Sequence, residues 1–300
     1  MWFKRSKQSS TRQSVNREAL LFLLPAIGVL IITTIFPFVY CVWISLHDIR
    51  IFYPVPVTFV GAGNYYGSLV MPIYGLWNAV YNTVIFTGAS LTIEVFLGLA
   101  IALLLNKEIR GVWTLRSVIP LPLLISPISI GLIFRLIFLP GDWALANWML
   151  TSLGLAPLNW LAEPPLAMLT LIFTDVWQWT PFMALIFLAG LQLLPPEPFE
   201  TALVDGATSL KTFRYITLPL LREMFVIAIL LRLMDSLKTF DIIYIVTQGG
   251  PGERTQILNF NAFVQAFTYG NISIAASQII LMSLVVIFLS AVLIRSVRAR

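Results

Sequence analysis

Residues 200–219 read ETALVDGATSLKTFRYITLP, a mostly polar break between two long apolar spans. Pro195, Pro196 and Pro198 precede it and end the span before, because proline has no N–H to give a helix interior. From Pro198 onward the stretch predicts a short helix running to Leu210, with proline tolerated at its first position. Glu197 and Glu200 fall at that helix's positive end, where carboxylates are favoured. Phe199, Ala202, Leu203, Gly206 and Leu210 follow helical spacing and are expected on one face. In a chain otherwise made of membrane spans, a short apolar-faced helix in an internal loop is a plug for a soluble partner.

The rest of the chain supports that setting. Of its 300 residues 58% are hydrophobic and 11% charged, with a mean hydropathy of +0.88, too apolar for a soluble domain of this length. Apolar runs of membrane-spanning length occur at six places, 19–46, 78–105, 113–139, 166–193, 219–246 and 273–294. The first is too long for a signal peptide and lacks a small-residue cleavage site, so it reads as a retained helix. The expected fold is all-α: a polytopic membrane protein of six helices over 19–294, with a cytoplasmic loop at 195–218. Basic tails at 1–18 and 295–300 flank it.

Lys and Arg placement orients the spans. Lys4, Arg5, Lys7, Arg12 and Arg17 precede the first span, and Lys107, Arg110 and Arg116 surround the second turn. Lys211, Arg214 and Arg222 flank the loop, and Arg295, Arg298 and Arg300 close the chain. The opposite loops hold Arg50 and Arg254. Both termini and the loop are therefore expected in the cytoplasm of a cell (inner or plasma) membrane. This topology and anionic lipid account for the net charge of +5 without nucleic acid. One cysteine, Cys41, and one histidine, His47, leave a disulfide or a Cys/His metal site unsupported.

No phosphate-binding Gly-rich loop and no nucleophile triad is present, so the chain carries no recognisable engine or catalytic set. What it does carry is charge within spans. Arg232, Asp235, Lys238 and Asp241 alternate in sign at three-residue steps, close enough to touch on a helix. Each costs roughly 2.5–3.5 kcal/mol at the centre of a bilayer, so none is expected to face lipid. Two readings stand side by side, a polar lining of a translocation path and a self-compensating ladder of ion pairs. Glu94 and Asp175 lie in other spans, and Trp177, Gln178 and Trp179 follow Asp175. Aromatic faces beside hydrogen-bonding groups suit sugars.

The 200–219 segment resembles the cytoplasmic loop signature of ABC-importer permeases. Glu200-Thr201-Ala202, Gly206, Ile216 and Leu218-Pro219 match every interval of that signature, with Thr201 standing where a second alanine is usual. Phe59–Tyr65, Thr92-Ile-Glu94, Leu97–Ala100, Trp177–Phe182, Phe240–Tyr244 and Thr247–Pro251 complete the likeness, the last run being similar to carbohydrate importers. The basic tail before the first helix is similar to the maltose-type first permease subunit, without its extra helices and large outer insertion.

The resemblance implies a permease subunit of an ATP-driven importer for a sugar or polyol, with a second related permease and two cytoplasmic ATPase subunits. An extracytoplasmic solute-binding protein would deliver the solute. ATP-Mg would be used by the ATPase, and this chain would be neither enzyme nor cofactor carrier. Coupling would fall to Glu200, Thr201, Ala202, Asp205, Gly206, Ile216, Leu218 and Pro219. The substrate path would involve Glu94, Asp175, Trp177, Trp179, Asp235, Asp241 and Tyr244, and binding-protein docking Gly249, Gly250 and Pro251. An ion-coupled secondary transporter is the alternative, since it too carries intramembrane charge.

Overall fold

The computed structural model describes residues 22–52, 56–107 and 111–298, which are predominantly helical. The basic tail at 1–18, Arg110 and Arg300 lie outside the described residues. Helix α1 (Phe22–Ser45) has one widened turn at Ile31–Ile35. Pro37 lies just beyond, and the missing proline N–H is the kind of break that such a turn absorbs. A short pairing of β1 (His47–Asp48) with β2 (Thr58–Phe59) follows, then α2 (Gly63–Val70) and α3 (Leu76–Leu105).

Helices α4 (Val112–Leu124) and α5 (Pro127–Ile137) are bent by 93° against each other. The bend is at Pro127 rather than Pro120 or Pro122. Ser126 has an extended ψ of 136°, as expected for the residue before a proline, and Ile125 ahead of it is extended too at 134°. Then come α6 (Leu145–Ser152), α7 (Pro164–Gln192), α8 (Glu197–Val204) and α9 (Ser209–Thr212). The chain continues through α10 (Arg222–Ser236), α11 (Asp241–Val246) and α12 (Leu258–Phe263) to α13 (Ile272–Arg298).

Among the described residues four helices are long and apolar enough to cross a membrane, α1, α3, α7 and α13, and the α4–α5 pair makes a fifth if it is one span. The expected span at 219–246 is different in form. It is broken after Ser236 and resumes at Asp241, so its charges do not share one helix. Lys238 N–H closes onto the Asp235 carbonyl and Thr239 N–H onto Ser236, and Phe240 leaves helical space at φ −140°, ψ −51°. Irregular backbone at membrane depth is tolerated where protein covers it or where it lines a cavity. Here the break lets Lys238 and Asp241 face a cleft instead of hydrocarbon.

The core sits between α3 and α7. In α7 67% of the most apolar window is buried, against none in α1, which places α7 centrally and α1 at the rim. Gly98 permits the close crossing: a Cβ there would lie 2.6 Å from Met183 Cβ and 3.0 Å from the Ala184 nitrogen. Phe86, Leu171, Ile243 and Ile257 pack one cluster, and Ala102, Phe187, Leu221 and Ala228 pack another.

Candidate functional site: a buried charge hub, its cleft and two loops

Three helices converge on Arg232. Its side chain is fully buried, which a guanidinium tolerates only when its donors are matched. From α10 it donates Nε–H to Glu94 Oε2 at 2.7 Å and Nη2–H to Glu94 Oε1 at 2.9 Å. This is a two-pronged grip on a carboxylate carried by α3, the pairing for which arginine's planar fork is suited. Nη2 also donates to Asp175 Oδ2 on α7, and Nη1 to Asp235 Oδ2 at 3.2 Å, one helical turn away. The Trp179 ring lies 4.9 Å from the guanidinium carbon, within cation–π range. Ser236 Oγ donates to Thr87 Oγ1 at 3.1 Å, a second tie between α10 and α3.

Beside the hub, the helix break opens a cleft of about 130 Å³ lined by Pro127, Gln178, Trp179, Asp235, Lys238 and Asp241, among others. Larger hollows of about 440 and 520 Å³ are lined almost entirely by apolar side chains. Two smaller hollows among the described residues are polar: one of about 180 Å³ lined by Asp48, Arg50 and Asn64 among others, and the cleft at the helix break, which borders the hub. Asp235 belongs to both places: one oxygen meets Arg232, while about half of its side chain is exposed.

The structure thus brings together Glu94, Asp175, Trp179, Asp235 and Asp241. Trp177 points elsewhere, 41% exposed and packed on Phe134 at 5.4 Å. Tyr244 is exposed and stacks on Phe240 at 5.4 Å, behind the cleft wall. The alternating ladder is realised only in its Arg232–Asp235 rung; among the described residues neither Lys238 nor Asp241 forms an ion pair. Gln178, three residues after Asp175 and so its neighbour on one helix face, joins them at the cleft.

At the polar loop, α8 begins with Pro196 and Pro198 and carries Glu197 and Glu200 in its first turn, as expected. It ends sooner than expected, at Val204. Gly206 adopts φ +68°, and its N–H bonds Leu203 O while Ala207 N–H bonds Ala202 O. That is a left-handed helix stop, which glycine makes without steric cost. Gly206 therefore turns the chain rather than sharing a face with Leu210, which belongs to α9. Ala202 is buried, while Leu203, Val204, Leu210 and Tyr215 are 70–87% exposed; Glu200, Thr201 and Asp205 are exposed as well. Ile216 lies in a widened turn, Phe213–Thr217, just before Leu218 and Pro219. Leu221 is fully buried, fastening this end of the loop beside Gly190 of α7.

At the other end, Gly249 has φ +80° and lies so close to Phe260 that a Cβ would stand 2.7 Å from its ring. Gly250 and Pro251 are half-buried, and Gly252, Glu253 and Arg254 form the exposed tip. Asn78 and Asn82 of α3 both donate to the Glu253 carbonyl at 3.0 Å, and Asn82 also to that of Gln256 at 3.1 Å.

A multi-span helical protein with charge gathered inside and apolar side chains displayed on a polar loop has the build of a membrane transport component. The chain belongs to the family of binding-protein-dependent transport system inner membrane components, whose model matches residues 94–300. It is similar to the trehalose/maltose transport system permease protein MalF of Thermococcus litoralis, 37% identical over 93% of each chain. It is also similar to the sulfoquinovosyl glycerol transport system permease protein SmoG of Agrobacterium fabrum, 32% identical over 94% of this chain and 91% of that one. A chain of a bacterial ABC transporter involved in the import of the acidic polysaccharide alginate superposes with a TM-score of 0.81. It is 20% identical, covering 97% of this chain and 99% of that one, and it shows the shared fold.

Proposed function

We propose that this chain is the permease subunit of an ATP-driven importer for a sugar or polyol, both termini cytoplasmic, working beside a second related permease. Two cytoplasmic ATPase subunits receive the loop at 195–218 and use ATP-Mg; this chain holds no cofactor and performs no hydrolysis. A solute-binding protein meets the opposite face near Gly249–Pro251 and the exposed tip beside it. The observation that carries the reading is the loop. Of the residues that match the signature interval by interval, Glu200, Thr201 and Ala202 fall on α8, whose Leu203 and Val204 are 80% and 87% exposed, an apolar display that fits a groove on a partner.

The loop also has a rigid route inward. Leu221 is buried, Arg222 begins α10, and Arg232 lies about 15 Å further along that helix. Motion of α8 would pass through α10 to the Arg232 hub and so to the cleft, where Trp179, Asp235 and Asp241 present a ring face and carboxylates to solute. Family membership favours this over the ion-coupled alternative.

The test is energetic. In cells expressing the whole importer, uptake should stop on ATP depletion or ATPase deletion and survive an ionophore. Uptake that persists without the ATPase, or labelling that places a thiol at Gly206→Cys outside the cell, would overturn the proposal.

A further inference from the structure

Relatives of this chain are named for uncharged and for sulfonated solutes alike, so family membership leaves the charge of the cargo open. The cleft does not. Asp235 and Asp241 place two carboxylates on its wall against the single ammonium of Lys238. The Arg232 guanidinium behind them is shared by Glu94, Asp175 and Asp235 itself, three carboxylates for one cation, and has little left to offer an anion. Gln178 gives an independent sign of a missing partner. It is 2% exposed, lines the cleft, and its Oε1 has no hydrogen-bond partner. A buried amide of this kind calls for partners, and a hydroxyl can both donate to it and accept from it.

The geometry points to Gln178, Asp235 and Asp241 as specificity-determining residues that select a hydroxyl-rich neutral or cationic solute and reject an anionic one. This rests on the reading of the cleft as part of the translocation path. An anion entering it meets excess negative charge in surroundings that screen poorly. A sugar hydroxyl gives its hydrogen to a carboxylate oxygen of Asp235 or Asp241, while its ring lies against Trp179.

The local field can be measured without knowing the solute. A thiol is introduced by Thr239→Cys, a cleft residue with a half-buried side chain, in a Cys41→Ala background. Cys41 lines a separate apolar groove, so its replacement should leave uptake unchanged. In the assembled importer the thiol is reacted with cationic, neutral and anionic methanethiosulfonate reagents, each rate normalised to that of a small free thiol. The normalised cationic-to-anionic ratio is expected to be about tenfold or more. Asp241→Asn, which leaves the hub intact, should lower it at least about threefold, and Asp235→Asn should add to the fall. A ratio at or below unity overturns the charge selection and leaves the path reading standing. Reaction with none of the three reagents overturns the path reading itself.

Discussion

Two regions within forty residues of one another are built on opposite physics. Around α8 the chain turns apolar side chains outward, with Leu203 and Val204 almost fully exposed and little of the helix buried. Around Arg232 it hides charge inside, four ionic groups from three helices with the guanidinium at zero exposure. The first arrangement leaves apolar surface uncovered until something docks on it. The second is closed around its guanidinium, and removing that cation leaves the buried carboxylates uncompensated. A region awaiting a partner should tolerate substitution in the isolated chain and fail in the complex. A region complete in itself should fail first as a folded protein.

The sharpest way to break the contrast is Arg232→Met. It strands Glu94 and Asp175 in the interior and should cost about 3–5 kcal/mol, read as lost thermal stability of the detergent-purified complex. Adding Glu94→Gln and Asp175→Asn should recover most of that loss, because no buried charge remains; a triple variant as unstable as the single would refute the charge account. Gly98→Val comes next. It forces a methyl-bearing carbon against Met183 and the Ala184 backbone, and overpacking of this kind costs about 1–3 kcal/mol. A weakened α3–α7 crossing should then lower stability even though no charge has changed.

Gly206→Val should show a mixed response. It puts a β-branched residue at φ +68°, a strain of about 1–2 kcal/mol, with open space around the new side chain. Gly206→Asn, which tolerates that backbone, should be milder in the same melting assay. Leu203→Asp stands at the far end of the scale. Stability should move by less than about 0.5 kcal/mol, as at other exposed sites, while copurification with the ATPase falls sharply. Unaltered copurification would detach α8 from the coupling role.

The two regions also differed in how far the sequence exposed them. The loop is local: its prolines, its first-turn glutamates and the intervals from Glu200 to Pro219 lie within one short stretch, and the short helix appears where they place it. The early stop at Val204 was the miss, because Gly206 was read as a small residue on a face instead of a left-handed cap. Five of the six apolar runs correspond to helices or a bent pair, since span length alone reports them. The run at 219–246 misled for a physical reason. Hydropathy counts residues but does not see that Lys238 and Asp241 become affordable only if the helix opens between them. The hub was legible in its members and not in its pairing. Glu94 and Asp175 are 81 residues apart in sequence numbering, and nothing local shows that α3 and α7 cross where both can reach one guanidinium.

The grip of Asn78 and Asn82 on the Glu253 carbonyl has a mechanical corollary. Both amides ride on α3, the same rod that carries Glu94 about 18–24 Å further along. The exposed tip at Gly252–Arg254 is therefore leashed to a helix whose far part is bolted to Arg232, and a tug on that tip is delivered along α3 instead of being lost in a slack loop.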